Sequence, residues 1–438
     1  MEKQQNDMAD FSARKYLLSN AWTNLLRVGM SSLATLVITP FIIRNIGIDN
    51  YSYVALTSFF ISFSGLFDLG LSKSLVYLLN EPSVDAHRKN QYLTAQGGIV
   101  LGICALILGV GAVALLGGFP ILGPSLPATD PSYGVVIVAS FLVLMLTVFD
   151  QFLSSVLESF FLLPHVNHGL TLKIMTLNVL YVINLFTWNS LPFYVFSSVV
   201  AILVATAYYW GIIRRHVHWE IRKPSAEAVK KLVRQSFHFF RFSVLNSIYG
   251  VLPRMSVMYL SADLASIGIL DVVEKLSMSV INLCASIFRP LFSLSCQSPQ
   301  KVARKLTTVM CLNGGVGLLF VGGMVVFNSA ITNYFFPHAS IDKAFIGQNL
   351  VLYAIGSFFL LMSQPLSFYL QGEGKTSRLS VVFLGNIVLF FLLYLPMKEV
   401  LDWRTLQSLA TCHIIISAFY WGILFDWAKK TSLNRLKV

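Results

Sequence analysis

Seven lysines and arginines lie inside long apolar runs of this sequence, where a charged side chain is costly. A charge at the centre of a bilayer costs about 2.5 to 3.5 kcal/mol on insertion scales, so such residues usually face a wet cavity or a partner charge. Lys173 stands apart, whereas the other six fall into the first two apolar runs of each half of the chain. These six candidate binding cations are Arg27, Lys73, Arg241, Arg254, Lys275 and Arg289. Their grouping predicts a shared basic cavity that would bind an anion.

The depth of each cation in its apolar run indicates whether it faces a binding cavity or snorkels to the membrane surface. Lys73 and Arg241 lie near predicted cytoplasmic helix ends, so their long side chains can equally snorkel to the membrane surface. Arg27 and Arg289 lie about 15 Å and about 10 Å from the predicted inner boundary, at roughly 1.5 Å per residue. At that depth, a position facing the cavity is favoured over snorkelling.

Proline interrupts three of the apolar runs that carry these cations. Pro253 precedes Arg254, Pro290 follows Arg289, and Pro40 lies in the first run. Because proline has no amide hydrogen, it leaves a carbonyl one turn earlier without its usual donor and bends the helix. An arginine beside a bend can reach into a central space and present its fork of donors to phosphate oxygens. We therefore predict hinges at these three prolines.

Acidic residues also lie within the apolar runs, where they can carry a coupling ion or balance the cations. The candidate ion-coupling residues are Asp150, Glu158, Asp271 and Glu274. Asp271 precedes Lys275 by four residues, so the two can also form an ion pair on one helical face, and this alternative has equal weight. Asp68 lies beside two glycines in LFDLGLSKSL, and we interpret it as a structural residue.

The apolar runs that hold these charges define the class of protein. Of 438 residues, 55% are hydrophobic and 12% are charged, and the mean hydropathy is +0.69. Runs of about twenty residues, enough to cross roughly 30 Å of hydrocarbon, recur along the chain. We predict an all-α polytopic membrane protein with twelve transmembrane helices. The predicted spans are residues 17–43, 52–79, 93–118, 134–160, 170–188, 192–213, 237–260, 265–296, 306–333, 346–371, 379–396 and 406–427.

The distribution of lysine and arginine between these spans predicts the orientation in the membrane. With a cytoplasmic N-terminus, 21 of them fall in cytoplasmic segments and 4 in outer loops. This bias places both the N-terminus and the C-terminus in the cytoplasm. Most of the formal net charge of +12 therefore reflects topology, and nucleic acid is not an expected partner.

The chain divides into two similar halves. The longest polar segment, residues 214–236, leaves six predicted spans on each side. We predict a six-helix lobe over residues 1–213, a basic cytoplasmic linker over 214–236 and a second lobe over 237–438. From Ser225 the linker is typical of a basic amphipathic helix on the inner leaflet, or else it only marks topology. Two pseudo-symmetric lobes would enclose a central cavity at their interface.

Metal, cofactor and nucleotide chemistry have no support in the sequence. The five cysteines lie in apolar surroundings without paired spacing or a nearby histidine, so we predict neither a metal site nor a disulfide. The segment GEGKTS has only the ending of a phosphate-binding loop and follows a helix, which does not support ATP binding. We expect no cofactor.

Two stretches of the sequence resemble a known transporter family. TPFIIRNIGIDNYSYVALTSFFISFSGLFDLGLSKSL and the later YLQGEGKTSR are similar to the polysaccharide transporter branch of the multidrug/oligosaccharidyl-lipid/polysaccharide exporter superfamily. Within that branch, the match is to Wzx-type O-antigen flippases. The resemblance implies a V-shaped pair of six-helix bundles in which helices 1, 2, 7 and 8 line a cavity. The same helices carry the clustered cations.

The resemblance also implies a function. Such flippases turn an oligosaccharide on undecaprenyl pyrophosphate from the cytoplasmic to the periplasmic leaflet of a bacterial inner membrane, by alternating access and without catalysis. The expected partners are this lipid-linked oligosaccharide, membrane lipids, other O-antigen assembly proteins and, for coupling, H⁺ or Na⁺.

Two other functions are compatible with the sequence. The first is a multidrug or small-solute antiporter of the same superfamily, although relatives in the drug-exporting branch tend to carry acidic cation sites. Mainly basic residues in the cavity fit a pyrophosphate better than a cationic drug. The second is a membrane-embedded glycan polymerase or glycosyltransferase. Against that alternative, the sequence has no large outer loop and no acidic pair near the membrane surface that could act as acid and base.

The predicted orientation can be tested by labelling single cysteines from outside the cell. Probes placed at Ser125 and Asp342 should react, whereas probes at Arg222 and Lys375 should stay protected, because the positive-inside bias places them on opposite faces. Reversed labelling would contradict the orientation.

Overall fold

The computed structural model describes most of the chain. The described residues are 2–79, 84–117, 133–160, 162–217, 219–220, 223–260, 264–288, 299–337, 342–373, 375–399 and 404–436. Arg289 and Pro290 lie outside these ranges, as do the proposed labelling positions Ser125 and Arg222.

The described ranges are helical almost throughout and contain no β-strand, which confirms the all-α class. They contain thirteen helices. These are α1 (Glu2–Phe67), α2 (Leu71–Leu79), α3 (Ala86–Gly117), α4 (Tyr133–Ser159), α5 (Leu163–Phe186), α6 (Leu191–His216), α7 (Ala226–Leu260), α8 (Leu264–Phe288), α9 (Pro299–Val326), α10 (Asn328–Phe335), α11 (Lys343–Gly372), α12 (Thr376–Glu399) and α13 (Thr405–Leu436).

The first two predicted spans form one bent unit. Helix α1 runs through Pro40 and changes direction at Gly47, whose φ of 80° is non-helical. Glycine tolerates this conformation because it has no Cβ. Asp68 precedes α2 by three residues, and its carboxylate accepts a hydrogen bond from the amide of Ser72 at 3.1 Å. Asp68 therefore satisfies an amide in the first turn of α2, as expected for a structural residue.

Nine segments of the described chain are long and apolar enough to cross a membrane, so this is a multi-pass membrane protein. Helices α7 and α8 are not among the nine. Within α8, Asp271, Glu274 and Lys275 lie less than two turns apart and lower the apolar character of the helix. Each predicted span overlaps a helix, but the count of twelve transmembrane helices stays a prediction.

The predicted linker, residues 214–236, overlaps the end of α6 and the start of α7. Helix α6 continues to His216 and α7 begins at Ala226, so the residues that we expected to lie on the inner leaflet form one helix with the following span. The boundary predicted at residue 236 therefore falls inside α7. Between the helices, the Trp219 ring packs edge-on against Phe152 at 5.9 Å, which attaches the connection to α4.

The two halves of the chain meet along the second part of α1, which packs against α7 and α8. Near the predicted outer end, the amide of Gly268 donates a hydrogen bond to Ser52 Oγ at 3.1 Å. Towards the predicted inner end, a Cβ added at Gly65 would lie 3.4 Å from Ser247 Cβ. The halves are therefore in close contact at two places along α1, near Ser52 and near Gly65.

Cysteine pairs can test these two contacts. In a variant without the native cysteines, Gly65→Cys/Ser247→Cys should form a disulfide on mild oxidation, because the Cβ separation is close to the usual 3.5 to 4.5 Å or so. Ser52→Cys/Gly268→Cys should cross-link in the same way at the outer contact. Mass spectrometry of proteolysed protein would detect the linked peptides, with each single cysteine as control. Free thiols in both pairs would contradict the packing of α1 against α7 and α8.

Candidate functional site

The charged residues of α8 lie on one face of the helix. Lys275 Nζ lies 2.7 Å from Asp271 Oδ2, one helical turn away. The structure thus contains the ion pair that the spacing of these residues offered as an alternative to a cavity cation. Side chains three and four residues apart share a helical face, so Glu274 also points towards this side of α8.

Arg254 of α7 binds both acidic residues of α8. Its Nε lies 2.5 Å from Glu274 Oε2, and its Nη2 lies 3.5 Å from Asp271 Oδ1. The Arg254 side chain is 18% exposed, while those of Asp271 and Glu274 are 3% and 9% exposed. Two cations and two carboxylates therefore neutralise each other inside the protein. A carboxylate this deeply buried needs a cation, because leaving one charge unpaired is costly.

Two tyrosines complete this arrangement from other helices. Tyr51 of α1 donates a hydrogen bond to Asp271 Oδ2 at 2.7 Å, and Lys275 Nζ donates to the Tyr51 hydroxyl at 2.9 Å. Tyr353 of α11 donates to Glu274 Oε1 at 3.3 Å. We call Tyr51, Arg254, Asp271, Glu274, Lys275 and Tyr353 the charge cluster. It joins α1 of the first half to three helices of the second.

Sequence reasoning missed the uncharged members of this site. Tyr353 stacks on His413 of α13 with ring centroids 4.2 Å apart. Both nitrogens of that ring face serine hydroxyls, Ser357 at 3.2 Å and Ser417 at 3.4 Å. A tyrosine or histidine in an apolar run has no pattern that distinguishes a network partner from a packed core side chain. The only feature of the sequence that indicates such partners is that buried carboxylates on α8 need hydrogen-bond donors.

A small pocket opens beside the charge cluster, between α1, α7 and α8. Its lining residues are Ala55, Leu56, Phe59, Arg254, Ile267 and Asp271. Apolar walls beside a guanidinium strengthen its attraction to an anion, because the local dielectric constant is low.

A second charged site lies in the first half of the chain. Lys173 Nζ of α5 lies 3.8 Å from Asp150 Oδ2 of α4, and Thr206 of α6 donates to Asp150 Oδ1 at 3.4 Å. Arg27 of α1 interacts electrostatically with Tyr209, and so does Asp150. The structure thus places Arg27 and the candidate ion carrier Asp150 around the same tyrosine.

The remaining candidates lie in other surroundings. Lys73 and Arg241 have exposed side chains, and the Arg241 guanidinium lies 5.8 Å from the centre of the Phe237 ring. Glu158 is half-buried near the end of α4. Pro40 and Pro253 lie within continuous helices, so their hinge role stays a prediction. Within the described part of the chain, no cluster of His, Cys, Asp or Glu has a metal-binding arrangement.

The coupling between Arg254 and Glu274 can be measured with a double-mutant cycle. Arg254→Met should lower the free energy of unfolding by about 3 to 5 kcal/mol, because Glu274 stays buried without its main cation. Adding Glu274→Leu should recover part of this loss, since the uncompensated charge is removed. Equilibrium unfolding in mixed micelles gives the values.

The exposed pair Lys430 and Asp426 provides the control for this cycle. Lys430→Met should change the free energy of unfolding by at most about 0.5 kcal/mol, because solvent screens an exposed pair. Strictly additive effects of the Arg254 and Glu274 substitutions would contradict a coupled buried pair.

The fold is that of known transporters. The chain superposes on a multidrug resistance MATE family transporter of the MOP superfamily in an inward-facing conformation, with a TM-score of 0.68, 13% identity and coverage of 95% of this chain and 99% of the other. It superposes on the lipid II flippase MurJ in an inward closed conformation with a TM-score of 0.70, 15% identity and coverage of 94% and 90%. A MOP superfamily transporter from Pyrococcus furiosus, described as having a binding pocket of reverse polarity, gives a TM-score of 0.59 at 13% identity, with 95% of both chains covered. At these identities, the similarity establishes the fold alone.

The sequence itself provides the assignment to a family. A search of curated proteins finds no match. Residues 17–296 match the family described as polysaccharide biosynthesis protein. This range begins within α1, extends past the end of α8 and contains the α7 and α8 residues of the charge cluster. The expected resemblance to the polysaccharide branch is thereby confirmed. The chain is a multi-pass membrane protein that belongs to the polysaccharide biosynthesis protein family.

Proposed function

We propose that this protein is a flippase for an oligosaccharide linked to undecaprenyl pyrophosphate. It moves this lipid from the cytoplasmic to the periplasmic leaflet of a bacterial inner membrane, without catalysing a reaction. Its family and its MurJ-like and MATE-like fold support membrane transport in polysaccharide biosynthesis.

The charge cluster is the observation that carries the choice of cargo. It holds a guanidinium and an ammonium beside α1 and α11, which are both long and apolar enough to cross a membrane, and the Lys275 side chain is 33% exposed. A guanidinium binds two phosphate oxygens at once, whereas an ammonium acts as a point charge. Together they suit a pyrophosphate headgroup. We place Arg27 and Arg289 in the same role, on the first and second halves of the chain respectively.

Movement of the two halves against each other would carry the headgroup across the membrane. Residues 1–213 and 237–438 form the moving lobes, with Pro40, Pro253 and Pro290 as hinges. The contacts of α1 with α7 and α8 must separate on one face of the membrane before the cluster becomes accessible there. Candidate carriers of a coupling H⁺ or Na⁺ are Asp150, Glu158, Asp271 and Glu274, and other O-antigen assembly proteins are candidate partners.

A multidrug or small-solute antiporter is the second candidate, because the fold matches a MATE family transporter along nearly the whole chain. A cationic drug needs uncompensated acidic groups. In the charge cluster, the Asp271 and Glu274 side chains are 3% and 9% exposed, whereas the Lys275 side chain is 33% exposed. The more accessible charge is therefore a cation, which favours the flippase.

Substitutions of Arg254 test the proposed function. Arg254→Lys should retain part of the flipping activity, Arg254→Ala should lose most of it, and Arg254→Glu should lose all of it, because a positive charge in a partly dehydrated site is required. Surface polysaccharide would be measured in a strain that lacks its own copy of the gene, together with the amount of each variant in the membrane. Lys430→Ala, outside the cluster, should behave like the unmodified protein. Unchanged polysaccharide with Arg254→Ala at normal abundance would contradict a role for Arg254 in transport.

A further inference from the structure

The cations of the charge cluster are already occupied by the protein's own carboxylates. Arg254 binds Glu274 through Nε at 2.5 Å and approaches Asp271, while Lys275 binds Asp271 at 2.7 Å. An incoming pyrophosphate would bring further negative charge to a site with no positive charge to spare. Its oxygens need the same N–H groups that the carboxylates occupy.

We propose that Asp271 and Glu274 are internal counter-ions that compete with the lipid pyrophosphate for Arg254 and Lys275. The carboxylates leave the cations when the headgroup binds and return to them when it departs. This inference rests on the proposed function and adds the step that releases the cargo. The returning carboxylates compete for the same N–H donors and so displace the pyrophosphate from the arginine and the lysine.

The two carboxylates differ in how firmly the protein holds them. Asp271 is bound by Lys275, by the Tyr51 hydroxyl and, more weakly, by Arg254. Glu274 is bound by Arg254 and by the Tyr353 hydroxyl at the longer distance of 3.3 Å. Glu274 therefore exchanges with the headgroup first, and Asp271 leaves Lys275 after it.

Direct binding measurements can test the competition. The full chain in lipid nanodiscs would be titrated with farnesyl pyrophosphate, a water-soluble lipid pyrophosphate, by isothermal titration calorimetry. At pH 7.5, Glu274→Gln should bind it about tenfold more tightly than the unmodified protein, since a charged competitor is removed. Glu274→Asp keeps the charge and should stay within about threefold. Asp426→Asn, which removes a carboxylate from an exposed ion pair elsewhere, should leave the Kd unchanged.

The outcomes separate this inference from the proposed function. Loss of binding in Arg254→Ala, together with equal affinities for Glu274→Gln and the unmodified protein, would overturn the competition and leave the flippase proposal standing. Weaker binding by Glu274→Gln would also overturn it and make Glu274 a positioning residue for Arg254. Failure of every variant and of the unmodified protein to bind the probe would count against the flippase proposal itself. If Glu274→Gln does not fold, as judged by gel filtration, Asp271→Asn replaces it with the same expected direction.

Discussion

The cost of placing a charge in a hydrocarbon interior governs the arrangement of this protein. Helix α8 carries two acids and a base within two turns, and α7 adds an arginine beside a proline. No single helix can satisfy these groups, because their hydrogen-bonding capacity exceeds what one helical face offers. The helices must therefore pack so that Arg254 reaches the acids, and this requirement sets the contact between α7 and α8.

The same requirement connects the two halves of the chain. Tyr51 comes from α1 and bridges Asp271 and Lys275, so the hydrogen bonds of α8 are completed only when the first half is in contact. Small residues allow this close approach, as at Gly268 against Ser52. The charged groups are therefore fully paired only when the helices of the two halves pack together. Separation of the halves at this contact exposes charges that then need water or an anionic ligand.

Much of the fold was predictable because a membrane imposes a simple length rule on apolar runs. Every predicted span overlaps a helix, and the spacing of Asp271 and Lys275 anticipated their ion pair. The ends of the helices were less predictable. The polar start of α7 is continuous with the apolar part, since lysine and glutamate are good helix formers and nothing between Ala226 and Phe237 breaks the helix.

The sequence by itself determined that the charges of α7 and α8 need partners of opposite charge. The free-energy cost of an unpaired charge in an apolar run is high in any fold. The sequence did not determine the partners. Tyr51, Tyr353 and His413 come from helices far apart in the chain, and an uncharged side chain gives no sign of such a role until packing brings it within hydrogen-bonding distance. Tertiary structure alone decided that Arg254 faces Glu274, because the rotation of α7 against α8 depends on contacts of both helices with the rest of the bundle.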